Sequence, residues 1–126
     1  MNHSSAIVVV DAHSPIWLAL QAAETNYGST DAELDRALAE VMDAEFLEDV
    51  LARFAQGSAD RYEVELQADT PIGEVSQARR EHLAALDAHA RVQDLLAARE
   101  RALQTASDNF VVAERARFDA MASACA

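Results

Sequence analysis

Past Gly73 the chain contains neither glycine nor proline, and the whole sequence holds only three glycines and two prolines. A sheet protein needs a tight turn every few residues, and those turns depend on glycine, proline and asparagine chemistry that is scarce here. The scarcity therefore predicts long helices. The expected fold is mainly α, a small helical bundle or antiparallel helical hairpin with a long C-terminal helical region. Alanine supplies much of the 51% apolar content and aromatics only 6%, so the expected core is thin, with helix packed on helix.

The few breakers place the expected boundaries. Ser14 followed by Pro15 is a helix start, with serine as cap and proline in the first turn. Gly28 is expected to stop that helix. Thr30 and Glu33 then have the spacing of a capping box for the next one. The stretch "QGSADR" at 56–61 closes it, and Thr70 with Pro71 begins a third. A single helix from there to the end would extend about 80 Å at 1.5 Å per residue, two to three times the width of a domain this size. "TASDNF", with Ser107 or Asp108 as cap, is the expected interruption, making 71–124 a helical hairpin. A single domain over 1–126 is expected, with an acidic helical half at 14–60. Two short stretches have strand character: the β-branched run at 6–10, and 61–67, where Tyr62, Val64 and Leu66 alternate with polar residues. They could pair as a minor two-stranded ribbon, unless 61–67 simply continues a helix.

Charge is divided along the chain. Residues 24–74 hold fourteen carboxylates and three arginines, whereas 75–126 hold seven of each sign. An acidic half repels phosphate, which argues against nucleic acid or an anionic membrane as a direct ligand and suits a basic protein partner. On residues 33–54 the carboxylates accompany two apolar stripes at helical spacing. Leu34, Leu38, Val41 and Met42 share one side. Phe46, Leu47, Val50, Leu51 and Phe54 share the opposite side. Either the helix breaks at Asp43, a good capping residue, or one helix is covered on different sides along its length. In both cases Leu34, Leu38, Val41, Phe46, Val50 and Phe54 are expected to be buried. The acid then falls on the solvated side, where Glu33, Asp35, Glu40, Glu45, Glu48 and Asp49 are the candidate partner-binding residues.

In the C-terminal half, Leu83, Leu86, Val92, Leu95, Leu96 and Leu103 point to more than one side of a helix, the mark of a bundle centre or an oligomer contact. They are the candidate interface of a homodimer. The alternative is a monomer whose own hairpin covers them. Trp17 is either a core anchor or an aromatic anchor for a partner.

Motifs that carry chemistry are missing. The sequence has no glycine-rich phosphate loop, G-x-S-x-G, C-x-x-C pair or H-E-x-x-H. His82 and His89 share a face, but seven residues separate them by about 10 Å along the axis, too far for one metal ion. Cys125, the single cysteine, has no base beside it. No cofactor, metal or catalytic residue is expected. The apolar run near residue 6 is too short for a secretion signal or a membrane span, so a cytoplasmic setting is expected.

The function these features suggest is a non-enzymatic acidic helical interaction module, acting as inhibitor, adaptor or chaperone on a basic partner. Within that class, carboxylates at phosphate-like spacing would mark a nucleic-acid mimic, and an apolar groove flanked by acid would mark an export-type chaperone for an amphipathic helix. The opposing class is a carboxylate-rich metal protein or enzyme built on Glu45, Glu48 and Asp49.

Overall fold

The computed structural model describes residues 14–68 and 71–125. Two helices, α1 (Pro15–Gln67) and α2 (Ile72–Cys125), account for nearly all of them and pack against each other as a helical hairpin. Neither is long and apolar enough over any stretch to cross a membrane. The start of α1 follows the sequence. Ser14 Oγ accepts a hydrogen bond from the Trp17 N–H at 3.1 Å, satisfying one of the donors a helix leaves open at its first turn.

The expected interior boundaries are absent. Gly28, the Gln56–Arg61 stretch and Asp43 all lie inside α1, and "TASDNF" lies inside α2, so 71–124 is not a hairpin. Thr30 does not cap a new helix. Its hydroxyl donates backward to the carbonyls of Asn26 and Tyr27, both at 3.0 Å, a local bond a threonine makes without leaving the helix. Residues 61–67 are the last turns of α1 rather than a strand. Their alternation lost to the packing of Tyr62 on the opposite helix. The companion stretch 6–10 and the cap residue Thr70 lie outside the described residues.

The chain divides into two compact units. In the first, residues 15–36 pack on residues 104–125. Positions facing the partner helix recur every three or four residues: Leu20, Ala23, Tyr27, Thr30 and Leu34 on α1, and Ala106, Phe110, Ala113, Arg117 and Ala120 on α2. In the second unit, 37–103, the series is Ala37, Val41, Ala44, Glu48, Leu51, Ala55 and Ser58 on α1. Ala78, His82, Ala85, His89, Val92, Leu96 and Arg99 answer it on α2. An alternation of three and four is the heptad spacing that keeps one stripe turned to a partner helix. Most of the fully buried positions are alanine, and Ala113 is 1% exposed. Small residues at a contact bring helix axes toward the short end of the ~8–10 Å range.

This seam overturns the burial expected from the large side chains. Val41 is buried and Leu34 half-buried, but Leu38, Phe46, Val50 and Phe54 are exposed, Phe46 by 72%. The two opposed stripes are not two buried faces. The helix buries the alanine face between them.

Two substitutions test this account. Gly28 has no neighbour within 4 Å of an added Cβ and no positive φ, so Gly28→Ala should stabilise the protein by about 0.8–1.0 kcal/mol through helix propensity. A glycine that ended a helix in the left-handed region would give the opposite sign. Ala113→Leu should overpack the seam and cost about 1–3 kcal/mol in urea denaturation. Phe118→Ala, at an exposed position, should stay within about 0.5 kcal/mol.

Candidate interaction face

Three kinds of side chain occupy the surfaces of the second unit: polar residues joined across the seam, carboxylates in solvent, and large apolar residues in solvent. The joined polar residues are drawn away from any outer site. Glu40 accepts a hydrogen bond from Arg99 Nη1 at 2.8 Å, and Glu48 pairs with His89 Nε2 at 2.8 Å. An ionised carboxylate only accepts, so His89 Nε2 carries the hydrogen there. Ser58, 2% exposed, donates its hydroxyl hydrogen to the Ala55 carbonyl at 2.8 Å. His82 Nδ1 lies 3.0 Å from the same oxygen, a hydrogen bond across the seam. Tyr62 stacks on the His82 ring at 6.2 Å between centroids. Both histidines are thus seam residues with partners on α1.

Of the six candidate partner-binding carboxylates, Glu40 and Glu48 are engaged inside the hairpin. Glu33 and Asp35 are exposed in the first unit. Glu45 and Asp49 are exposed in the second, and Asp49 holds Arg53 at 2.9 Å one turn along α1. Asp43, which composition alone did not single out, is exposed beside them. Neither Asp43 nor Glu45 has an ion-pair or hydrogen-bond partner among the described residues.

The apolar residues beside this acid form a pattern that stripe-reading missed. Leu38, Met42, Phe46, Val50 and Phe54 succeed one another at intervals of four and all are exposed. Side chains four apart are neighbours on a helix, so the five make one continuous ridge winding across the face turned away from α2. Arg61 stands 6.0 Å over the Phe54 ring at its end. Leu47, also exposed, shares a shallow cleft with Leu95 and the Glu40–Arg99 pair.

The candidate oligomer residues divide as well. Val92, Leu96 and Leu103 are buried or half-buried and turned to α1, whereas Leu83, Leu86 and Leu95 are exposed. In the first unit, Trp17 is half-buried at the start of α1. Tyr27 lies 5.3 Å from Phe110 between ring centroids, and Arg117 bridges Glu24 at 3.0 Å while standing 4.7 Å over the Tyr27 ring. Cys125 is exposed. Among the described residues no three His, Cys, Asp or Glu side chains gather closely enough to hold a metal ion.

The division between internal and open carboxylates is measurable. Glu48→Ala should lower stability by about 1 kcal/mol, because the half-buried His89 N–H loses its acceptor. Glu45→Ala should remain within about 0.5 kcal/mol. Equal effects in urea denaturation would contradict the assignment. Neither the family models, nor the curated proteins, nor the solved structures contain a match to this chain.

Proposed function

We propose that this protein is a non-enzymatic interaction module that binds a basic protein partner through the outer face of α1. The reading is carried by the open carboxylates Asp43, Glu45 and Asp49 standing beside exposed large apolar side chains. Acid alone would be a solvated surface. Acid flanking Met42, Phe46 and Val50 combines a steering charge with area to bury, as a chaperone or adaptor for a helix requires. A nucleic-acid mimic is less well supported, because Glu40 and Glu48 are drawn into the hairpin and leave the row of carboxylates interrupted. The setting proposed for the encounter is the cytoplasm, on the sequence grounds given above.

Self-association through α2 is a second reading, favoured by the exposure of Leu83, Leu86 and Leu95 on one helix. Sedimentation at micromolar concentration should then give twice the 13.7 kDa of the chain, and Leu86→Glu should return it to a single chain. A sole species at the monomer mass at all concentrations would remove this reading.

Partner binding should be salt-dependent. Proteins captured from extracts of the native host should be enriched in basic proteins and released as ionic strength rises toward physiological, since exposed charges are screened over about 8–10 Å. Reversing Glu45 and Asp49 to arginine should slow association more than it speeds dissociation. Capture indifferent to both salt and charge reversal would leave these carboxylates as solubilising residues.

A further inference from the structure

We propose that the centre of the ridge, Met42–Phe46–Val50, seats one amphipathic helix of a partner protein, with arginine or lysine flanking that helix's apolar face. The proposal rests on the interaction reading above and names its occupant.

The ridge geometry comes from the spacing. Rows of side chains four apart are the rows that interdigitate in the commonest class of helix–helix packing in globular proteins, at a crossing angle near −50°. Five successive members of such a row, none turned to α2, stand in solvent on α1. The row rises about 24 Å along the axis, from 16 residues at 1.5 Å each, and turns about 160° around it, so one straight helix meets its central members Met42, Phe46 and Val50. Five side chains also fall well short of the ~20–30 residues per side in a standard interface between folded proteins. A helical segment suits the ridge better than a globular surface does.

Charge selects among helices. Asp43, Glu45 and Asp49 border the centre of the ridge, where Arg53 is already held by Asp49, and Arg61 stands over Phe54 at its far end. A second copy packing ridge on ridge about a two-fold axis through Phe46 would set these carboxylates against their own counterparts, and like charges across a contact are unfavourable. Phosphate-bearing partners meet the same repulsion. A helix with basic flanks meets none.

The test uses the full chain and synthetic peptides of one composition, leucine and lysine. In the first peptide the leucines lie along one helix face. In the second the same residues are scrambled around the helix. The face-patterned peptide should bind in fluorescence anisotropy at physiological salt, and the scrambled one about tenfold more weakly or worse. Phe46→Glu is the decisive variant, because it adds a carboxylate to an acidic face. Binding by charge alone would tighten, whereas ridge docking should weaken about tenfold or more, the loss typical of a central apolar anchor. Met42→Glu should act likewise, and Phe118→Glu, exposed in the first unit, should not. Circular dichroism should show unchanged helix content, since Phe46 touches solvent rather than the seam.

Equal affinity for the two peptides, or tighter binding by Phe46→Glu, would overturn the ridge proposal while leaving the acidic-surface reading standing. Failure of both peptides to bind would remove both. Conversion of a dimer to a monomer by Phe46→Glu in sedimentation would assign the ridge to a second copy and overturn the proposal in that direction.

Discussion

Alanine at a helix contact lets two backbones come close but leaves each residue little apolar area to withdraw from water. At about 25 cal/mol per Å², such a seam gains stability only by being repeated many times, and here alanine recurs along both helices of the second unit and along α2 of the first. The rest of the molecule depends on that choice. Helices in close approach have no room between them for Phe46, Phe54 or Phe118, so the large side chains are left outside. The most buried positions are therefore mostly small, with Leu34, Leu51, Leu96, Tyr27 and Phe110 half-buried at the seam and Phe46, Phe54 and Phe118 outside. The chain's exposed apolar surface is a consequence of its own core.

A seam of small, similar residues has a second consequence. In α2 the spacing of seven runs Ala78, Ala85, Val92, Arg99, Ala106, Ala113, so a slide of one heptad would again present mostly alanine to α1. Apolar packing therefore specifies register weakly. In the second unit, Glu40–Arg99, Glu48–His89 and Ser58–His82 each join one position on α1 to one on α2, and in the first Glu24–Arg117 does the same. The more exposed Glu40–Arg99 and Glu24–Arg117 pairs contribute little to stability individually. The work of all four pairs is to penalise the wrong alignment, because a slide would leave the Ser58 and His82 groups without each other.

The helical class was legible from the poverty of glycine and proline, and so was the cap at Ser14. The interior boundaries were misread for a common reason. Gly28, Thr30, Gly57 and Asp43 are local stop signals worth about 1 kcal/mol each, and a long repeated contact outweighs them. The face of α1 was misread because Leu38, Phe46 and Phe54 drew attention from Ala37, Ala44 and Ala55. Alanines seven apart at Ala37–Ala44, Ala78–Ala85 and Ala106–Ala113 lie in the seam, but Ala32–Ala39 and Ala90–Ala97 have the same spacing and are exposed, so alanine spacing alone does not locate it. Among the site residues, exposure of Glu45 and Asp49 was legible from the wheel. The capture of Glu40 and Glu48 was not, since Arg99 and His89 stand 59 and 41 residues away.

Those separations bear on how the chain reaches its fold. Ser58 and His82 are 24 residues apart, whereas Glu24 and Arg117 are 93 apart. Closing the longer loop directly from an open chain costs about 1.2 kcal/mol more entropy, nearly two doublings of loop length. Contacts beside the turn are thus the inexpensive ones to form, and each shortens the effective loop for the next. Loop-closure entropy therefore favours closure from the turn outward, with the pairing of Tyr27 and Phe110 completed late. In a chain emerging residue by residue during synthesis, α1 is complete before any of α2 exists. Its alanine face and its outer ridge are then both exposed, and only the alanine face is later covered by the chain itself.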